Sequence, residues 1–455
     1  MSRKLVVFND TSWRTPEKRS RQRSVPGNAL LAADCLLPET LDGTRQIALV
    51  QTDQDRSMVS RRINRLFGTG IRRDIFNAYK FLAQNYLPGD EIYLLGAGRG
   101  GYMMQRLAEM VSISGLLTSG SLDQISKAYL YAQLADEARK GPSGQSLRAN
   151  FNSREVLITF LGVWDGVGNE GVPTLGLKTL TKLWTDNLRP VLPENILSTY
   201  QALALDEHDT SLCPHIWTGT SNRDYALIEQ VWFAGRHQNV TGGRRDCRLS
   251  DIPFRWMISK ADKHGLAFDP VRVKELSSPD PMGTVADGFL EQRLKRGEKY
   301  ARQPGIAETH FARKQMPGTE RIHYTVKEKL SHDEDYKAHA LASLPENSLS
   351  FAYDEGLKEY LERRHYRLPI NSPASLVLGQ RRYNGNILDV SEGGARLWLQ
   401  LDAPVGTAVT LRSSALDRRD VQGEIVWTRD NAVGVSFDED LAFGEKAPVS
   451  SRTIH

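Results

Sequence analysis

Apolar and polar positions follow two different periods along this chain, and the change falls between residues 346 and 367. The first part shows short apolar runs, each followed by a stretch with helical spacing. Leu5 to Phe8 is a four-residue run that stops at Asn9-Asp10, and Ile47 to Gln51 is a second strand candidate. Gly68-Thr69-Gly70 opens a helix over 71–85, with Ile71, Ile75, Tyr79 and Leu82 on one face. Ile92 to Leu95 is the next run. It meets Gly96-Ala97-Gly98-Arg99-Gly100, and the residues after Tyr102 return to helical spacing. Val156 to Val163 ends at Trp164-Asp165-Gly166-Val167-Gly168, and Val231 to Phe233 leads to Gly235-Arg236-His237 and Gly242-Gly243. Strands that alternate with helices and end in polar residues predict a doubly wound α/β domain over 1–345.

From Asp287 to Glu346 the chain is charged, contains Pro and Gly, and has weak periodicity. This predicts surface helices and loops that close the first domain. Residues 346–362 read as a helical joint, with the helix itself over Tyr353 to Arg364. Beyond it the period becomes two. Ala374–Leu378, Gly385–Val390, Ala395–Leu401, Ala408–Leu411, Gly423–Trp427 and Ala432–Phe437 are short strands with Gly and Asn/Asp turns between them. They predict a small all-β barrel over 363–443, and 444–455 reads as a disordered tail. No internal repeat is found.

Composition narrows the function classes. With 455 residues and 40% hydrophobic content, more than one real core is expected. A net charge of +4 is slight for this length and argues against a nucleic-acid polymer as partner. Cys35, Cys213 and Cys247 stand far apart and in no CxxC pattern, so neither a disulfide framework nor a metal site is expected. No apolar run reaches the ~18 residues of a membrane span, and the four apolar residues near the N-terminus are too few for a signal-peptide core. A cytoplasmic chain with no transmembrane segment is expected.

The first constellation is the strand–turn–helix around EIYLLGAGRGGY, Glu91 to Tyr102. It has the layout of a nucleophile elbow, in which glycines flank a central nucleophile. Here the central position is Gly98. An Asp follows a later strand (Asp165) and a His one later still (His237), the order nucleophile, acid, base. With DTSWR, GDEIYLLGAGRGGYMMQ, GVWDGVG and WFAGRHQNVTGG, residues 3–345 resemble the bacterial α/β-hydrolase family of unknown function that includes type VI secretion phospholipase effectors. The resemblance implies Asp165 as triad acid and His237 as base, with Gly98 where the family has its serine. Thr11, Asn239 and Thr241 also depart from the family pattern. A glycine cannot form an acyl-enzyme, so Asp165 and His237 read as remnants of a catalytic site. Two alternatives stay open: a water activated by His237, and a hydroxyl from elsewhere such as Ser112 or Ser114.

The second constellation is Arg363-Arg364-His365-Tyr366-Arg367, followed by Asp389-Val390-Ser391-Glu392-Gly393-Gly394. The pair resembles the cyclic-di-GMP signature of PilZ domains, R-x-x-x-R before the first strand and [D/N]-x-S-x-x-G at the end of a later one. The resemblance implies a cyclic-di-GMP site of Arg363, Arg364, Arg367, Asp389, Ser391 and Gly394, with no other cofactor. These side chains suit the ligand: arginine forks bind phosphate or guanine O6 and N7, and a carboxylate accepts from a guanine edge. Together the two resemblances imply a cyclic-di-GMP receptor in bacterial signalling, with a degenerate hydrolase-like domain that acts through contacts with a protein partner. The alternative is a cyclic-di-GMP-regulated lipase, phospholipase or esterase with an unusual nucleophile.

Overall fold

The computed structural model describes residues 2–11, 25–40, 42–52, 69–167, 191–208, 212–217, 219–220, 227–286, 302, 304, 306–309, 312–315, 320–342, 350–352, 367–391, 393–401, 403–414, 416, 420–429 and 432–439. The chain divides into two compact units, with the break between residues 357 and 358. The expected helix over Tyr353 to Arg364 and the tail from 444 lie outside the described residues.

The first unit is built on an eight-stranded sheet. Its strands are β1 (Lys4–Thr11), β2 (Gln46–Thr52), β3 (Glu91–Gly98), β4 (Ile158–Trp164), β5 (Ser198–Ala204), β6 (Leu227–Phe233), β7 (Glu320–His323) and β8 (Ser350–Ala352). The order is β8-β7-β6-β5-β4-β3-β1-β2, with every neighbouring pair parallel. Parallel strands are covered on both faces and so read as unbroken apolar runs. Leu5 to Phe8 and Ile92 to Leu95 are accordingly all fully buried. The order reverses at β1, which has β2 on one side and β3 on the other. Such a switch point opens a crevice at the strands' C-terminal ends, and here those ends are Thr11 and Gly98, which are register partners.

Three expectations need correction. β1 does not stop at Asn9-Asp10 but runs on to Thr11. Buried polar groups can be accommodated when they are bonded. Asn9 Nδ2 donates to Gln51 Oε1 at 3.0 Å, and Asp10 Oδ2 accepts the Leu30 N–H at 3.2 Å. The latter bond caps helix α1 (Asn28–Cys35), whose own N-cap residue is a glycine. Second, the charged stretch before 346 is not all surface: β7 lies inside the sheet, with Ile322 and His323 buried. Trp232 Nε1 donates to Glu320 Oε2 at 2.7 Å and fastens β7 to β6. Third, β5 was not marked by any apolar run. Its sequence STYQALA has polar residues at Ser198, Thr199 and Gln201, yet all seven are buried; Gln201, for one, donates to the His215 carbonyl at 2.9 Å.

Helices α2 (Thr69–Asn85) and α3 (Arg99–Ser114) follow as the spacing predicts. All of α3 from Arg99 to Val111 is buried. At its C-terminal end the Tyr79 hydroxyl donates to the Gly115 carbonyl at 2.7 Å and accepts the Leu117 N–H at 2.9 Å. Two more helices, α4 (His237–Thr241) and α5 (Arg248–Lys263), complete the surroundings of the sheet's C-terminal edge. Trp164 at the end of β4 donates to the Pro253 carbonyl of α5 at 3.0 Å.

The second unit is a closed barrel of β9 (Arg367–Leu378), β10 (Arg381–Ser391), β11 (Gly394–Trp398), β12 (Ala408–Ser413), β13 (Val421–Arg429) and β14 (Ala432–Phe437). The order is β9-β10-β11-β14-β13-β12. Each of the six expected strands is present, because one face of each lines the core and imposes a period of two. Leu376, Ile387, Leu397, Leu411, Ile425 and Val435 fill it.

Backbone crowding at the end of β3 sets a stability prediction. A Cβ on Gly100 would stand 2.1 Å from the Asn9 carbonyl oxygen, whereas one on Gly120 would meet nothing within 4 Å. Gly100→Ala should therefore lower unfolding free energy by about 1–3 kcal/mol. Gly120→Ala should stay within about 0.5 kcal/mol of wild type. Urea denaturation of both variants checks this, and equal midpoints would show that the close approach is not what glycine is needed for.

Candidate functional site

Strand β3 passes into helix α3 with no residue between, so the chain reverses at Gly98. Its φ of 56° and ψ of −120° lie where a side chain is strained and glycine is not. Gly96 and Gly100 are held to glycine by close backbone approach: a Cβ would stand 2.5 Å from the Gly100 carbonyl oxygen in the first case and 2.1 Å from that of Asn9 in the second.

Asp165 follows β4 at a positive φ of 42°, the only described non-glycine residue there. This turn directs a carboxylate with no solvent exposure to His237, the first residue of α4. His237 Nδ1 lies 2.6 Å from Asp165 Oδ2. An ionised carboxylate can only accept, so Nδ1 donates and Nε2 of the neutral ring is left as an acceptor. The Ala204 N–H donates to Asp165 Oδ1 at 3.0 Å. Glu207 accepts the main-chain N–H groups of His237 at 3.1 Å and His208 at 2.9 Å.

A third member was not found by sequence reasoning. Arg302 Nη1 donates to Asp165 Oδ1 at 2.6 Å and Nη2 to Oδ2 at 3.1 Å, a two-pronged contact that is almost completely buried. Its remaining bonds go to the carbonyls of Ala204, at 2.8 Å, and Leu212. Burial alone would push the Asp165 carboxyl up. The Arg302 charge and the His237 hydrogen bond outweigh burial and bring it down to about 2. Burial likewise works against the Arg302 charge, and Asp165 more than offsets it. No motif marks Arg302: it lies in a charged stretch among other basic residues, and only the fold brings it to the site.

His237 is 3% exposed and its Nε2 has no hydrogen-bond partner. It faces the elbow, where a Cβ built on Gly98 would lie 3.1 Å from Nε2. A serine hydroxyl bonded to Nε2 at ordinary distance requires that Cβ to be about 3.5 Å away. The ring therefore stands a few tenths of an ångström closer than a nucleophile would permit. Among the described residues the hydroxyls nearest the elbow are bonded elsewhere. Thr241 Oγ1 donates to the His237 carbonyl at 3.0 Å, and Thr11 Oγ1 to Asn9 Oδ1 at 2.8 Å. Ser112 and Ser114 are at the far end of α3, about 20 Å along the helix, and Ser114 bonds the Ala128 carbonyl at 2.7 Å. Asn239 is structural: its Oδ1 accepts from the N–H groups of Arg236 at 3.0 Å and Ala286 at 2.7 Å.

In the second unit, β9 and β10 pair antiparallel so that Arg367 is opposite Ser391 and Pro369 opposite Asp389. Across the other edge of β10, Ser391 is opposite Gly394 and Asp389 opposite Arg396. Four of the six sequence-marked residues are thus gathered at one end of the β9–β10–β11 ladder. Gly394 approaches the backbone closely, since a Cβ there would stand 2.5 Å from the Val435 carbonyl oxygen. Arg363 and Arg364 lie outside the described residues.

Comparison with known proteins now has geometry to rest on. Residues 3–260, more than half of the chain, match the family described as type VI secretion system phospholipase effector Tle1-like, catalytic domain. Residues 361–447 match the PilZ domain. Among solved structures, the chain is similar to the PilZ domain of CeSA from a cellulose-synthesising bacterium, with 22% identity and a TM-score of 0.15 over 16% of this chain and 82% of that one. It is also similar to the Tle1 effector solved bound to the VgrG spike, with 12% identity and a TM-score of 0.35 over 62% of this chain and 77% of that one. A curated relative is the uncharacterized protein YEL023C of Saccharomyces cerevisiae, 27% identical over 118 residues, which are 24% of this chain and 17% of that protein. The chain thus spans about a sixth of the length of that relative.

The Asp165 cluster predicts an acid sensitivity. The carboxyl titrates lower in the folded state than in the unfolded one, so the folded state binds fewer protons between the two values. Its contribution is present above about pH 4 and lost as pH falls towards 2, and it amounts to roughly 2 kcal/mol. Asp165→Asn should cost about 3–5 kcal/mol at pH 6, because the Arg302 charge is left buried without its partner. In urea titrations, the gap between wild type and Asp165→Asn should narrow by roughly 2 kcal/mol from pH 6 to pH 2.5. A constant gap would show that this carboxyl is not the group that titrates.

Proposed function

The chain belongs to the Tle1-like catalytic-domain family of type VI secretion phospholipase effectors, and from that premise we propose that it is a cyclic-di-GMP receptor whose hydrolase-like first unit has lost its nucleophile. The observation that carries the receptor reading is the register of β9 and β10 within a stretch that matches the PilZ domain. It sets Arg367, Asp389, Ser391 and Gly394 beside one another at one barrel end, and Arg363 and Arg364 stand four and three residues before β9 in sequence. Two phosphates and two guanines call for that chemistry. Arginine forks take phosphate oxygens or the guanine O6/N7 edge, and a carboxylate takes guanine N–H. No other cofactor is required.

The first unit then serves as a recognition surface. Gly98 supplies no attacking atom, and among the described residues the hydroxyls of Thr241 and Thr11 are bonded elsewhere. The C-terminal edge of a parallel sheet at its switch point is where such folds bind ligands; a protein partner is the proposed occupant, with binding of cyclic-di-GMP as the signal. A cytoplasmic location suits a receptor for that messenger. Among the described residues no helix is long and apolar enough to cross a membrane.

One observation favours a second reading, a cyclic-di-GMP-regulated lipase or esterase with water as nucleophile. The His237–Asp165 contact is short and Nε2 is unpartnered beside the elbow. Hydrolysis of short-chain esters or phospholipids by the full chain, abolished by His237→Ala, would establish this reading in place of the first. No turnover is expected.

The receptor reading is tested by calorimetry with cyclic-di-GMP on wild type, Arg363→Ala, Arg367→Ala and Asp389→Ala. Loss of an arginine that makes a charged bidentate contact costs on the order of 2–5 kcal/mol, so each arginine variant should bind more than tenfold more weakly. Unaltered affinity in both would refute the site.

A further inference from the structure

Asp165 carries more partners than an acid in an acid–base pair needs. Such an acid orients the imidazole and stabilises the imidazolium that forms when the ring takes a proton. Here the same carboxylate is held by two N–H groups of Arg302, at 2.6 and 3.1 Å, and by the Ala204 N–H. The His237 contact, at 2.6 Å, competes with all three. Arg302 is in place permanently: both of its terminal nitrogens are also bonded to main-chain carbonyls, and it is 2% exposed. Glu207, also buried, accepts the main-chain N–H groups of His237 and His208.

We propose that Arg302 is a positioning residue that takes up the charge of Asp165 and so withholds it from His237, turning an acid–base pair into a structural tie. The inference rests on the reading of the first unit as hydrolase-like. It means that the site is disabled twice, by the missing nucleophile at Gly98 and by the occupied acid. A guanidinium 2.6 Å from the carboxylate cancels most of the field that the ring would otherwise feel in a dry interior. The ring keeps its orientation and loses the support that makes it a base. Replacing Gly98 with serine then restores an attacking atom but not the base to deprotonate it.

The test uses the full chain and a fluorophosphonate probe. The introduced hydroxyl attacks phosphorus, fluoride leaves, and His237 accepts the hydroxyl proton. Gly98→Ser should label slowly. Gly98→Ser combined with Arg302→Gln, which keeps an N–H donor for Asp165 but removes the charge, should label at least tenfold faster. Gly98→Ser with Arg302→Lys, which keeps the charge, should stay slow. Equal rates in the two double variants, including no labelling in either, would overturn the proposal. A second readout needs no serine. The proton between His237 Nδ1 and Asp165 should move downfield in the NMR spectrum of Arg302→Gln and not in that of Arg302→Lys; an unmoved resonance in Arg302→Gln would also overturn it. Ester turnover by the unmodified chain would instead overturn the nucleophile-free reading and leave the two Arg302 comparisons to stand or fall separately.

Discussion

A single buried carboxylate ties the C-terminal edge of the parallel sheet together. Asp165 leaves β4 and accepts from the backbone where β5 ends, from His237 where the chain past β6 turns into α4, and from Arg302 far downstream. A charge with no exposure must be paired and hydrogen-bonded, because breaking such a pair costs about 3–5 kcal/mol, a large share of a domain's stability. The requirement runs in both directions, since Arg302 is almost as deeply buried and its permanent charge needs Asp165 as partner. Arg302 therefore belongs to this domain by electrostatics, whatever the composition around it suggests.

The other constraint is steric. At the elbow, strand, turn and helix are so close that Gly96 and Gly100 have room for no side chain, and Gly98 sits at a backbone conformation that penalises one. These demands come from the sheet's geometry and hold with or without chemistry at the site. That is why the glycine framework persists around an empty nucleophile position. Asn239 closes the first turn of α4 and Thr241 bonds back to His237.

How much of this the sequence discloses depends on the kind of signal each part carries. Parallel strands buried on both faces leave unbroken runs such as Leu5 to Phe8, and a barrel with one face in its core leaves a period of two, so both architectures could be read before any coordinates. Asp165 and His237 could be read because motifs surround them. β5 could not, since its polar residues are buried and satisfied rather than excluded. β7 could not either, because four residues, ERIH, are too few for a pattern. Arg302 was hidden most completely. In a charged stretch an arginine looks like solvated surface, and only the position of Asp165 across the fold makes it otherwise.

Serine at the elbow is opposed for two separable reasons, and they bear on how such a site can be lost. The first is local: a Cβ at φ 56° brings backbone strain of roughly 1–2 kcal/mol, and His237 stands too near to receive it unmoved. An active hydrolase would bear that strain because the nucleophile is needed. Glycine carries no such strain and leaves room for the ring where it stands. The second is electrostatic and lies on the other side of the ring, where Arg302 satisfies Asp165 without help from an imidazolium. The ring is then held by packing and one short hydrogen bond, which is what a scaffold requires. Under the proposed nucleophile-free reading, stability and catalysis make opposite demands on positions 98 and 302, and the glycine and the arginine found there both serve stability.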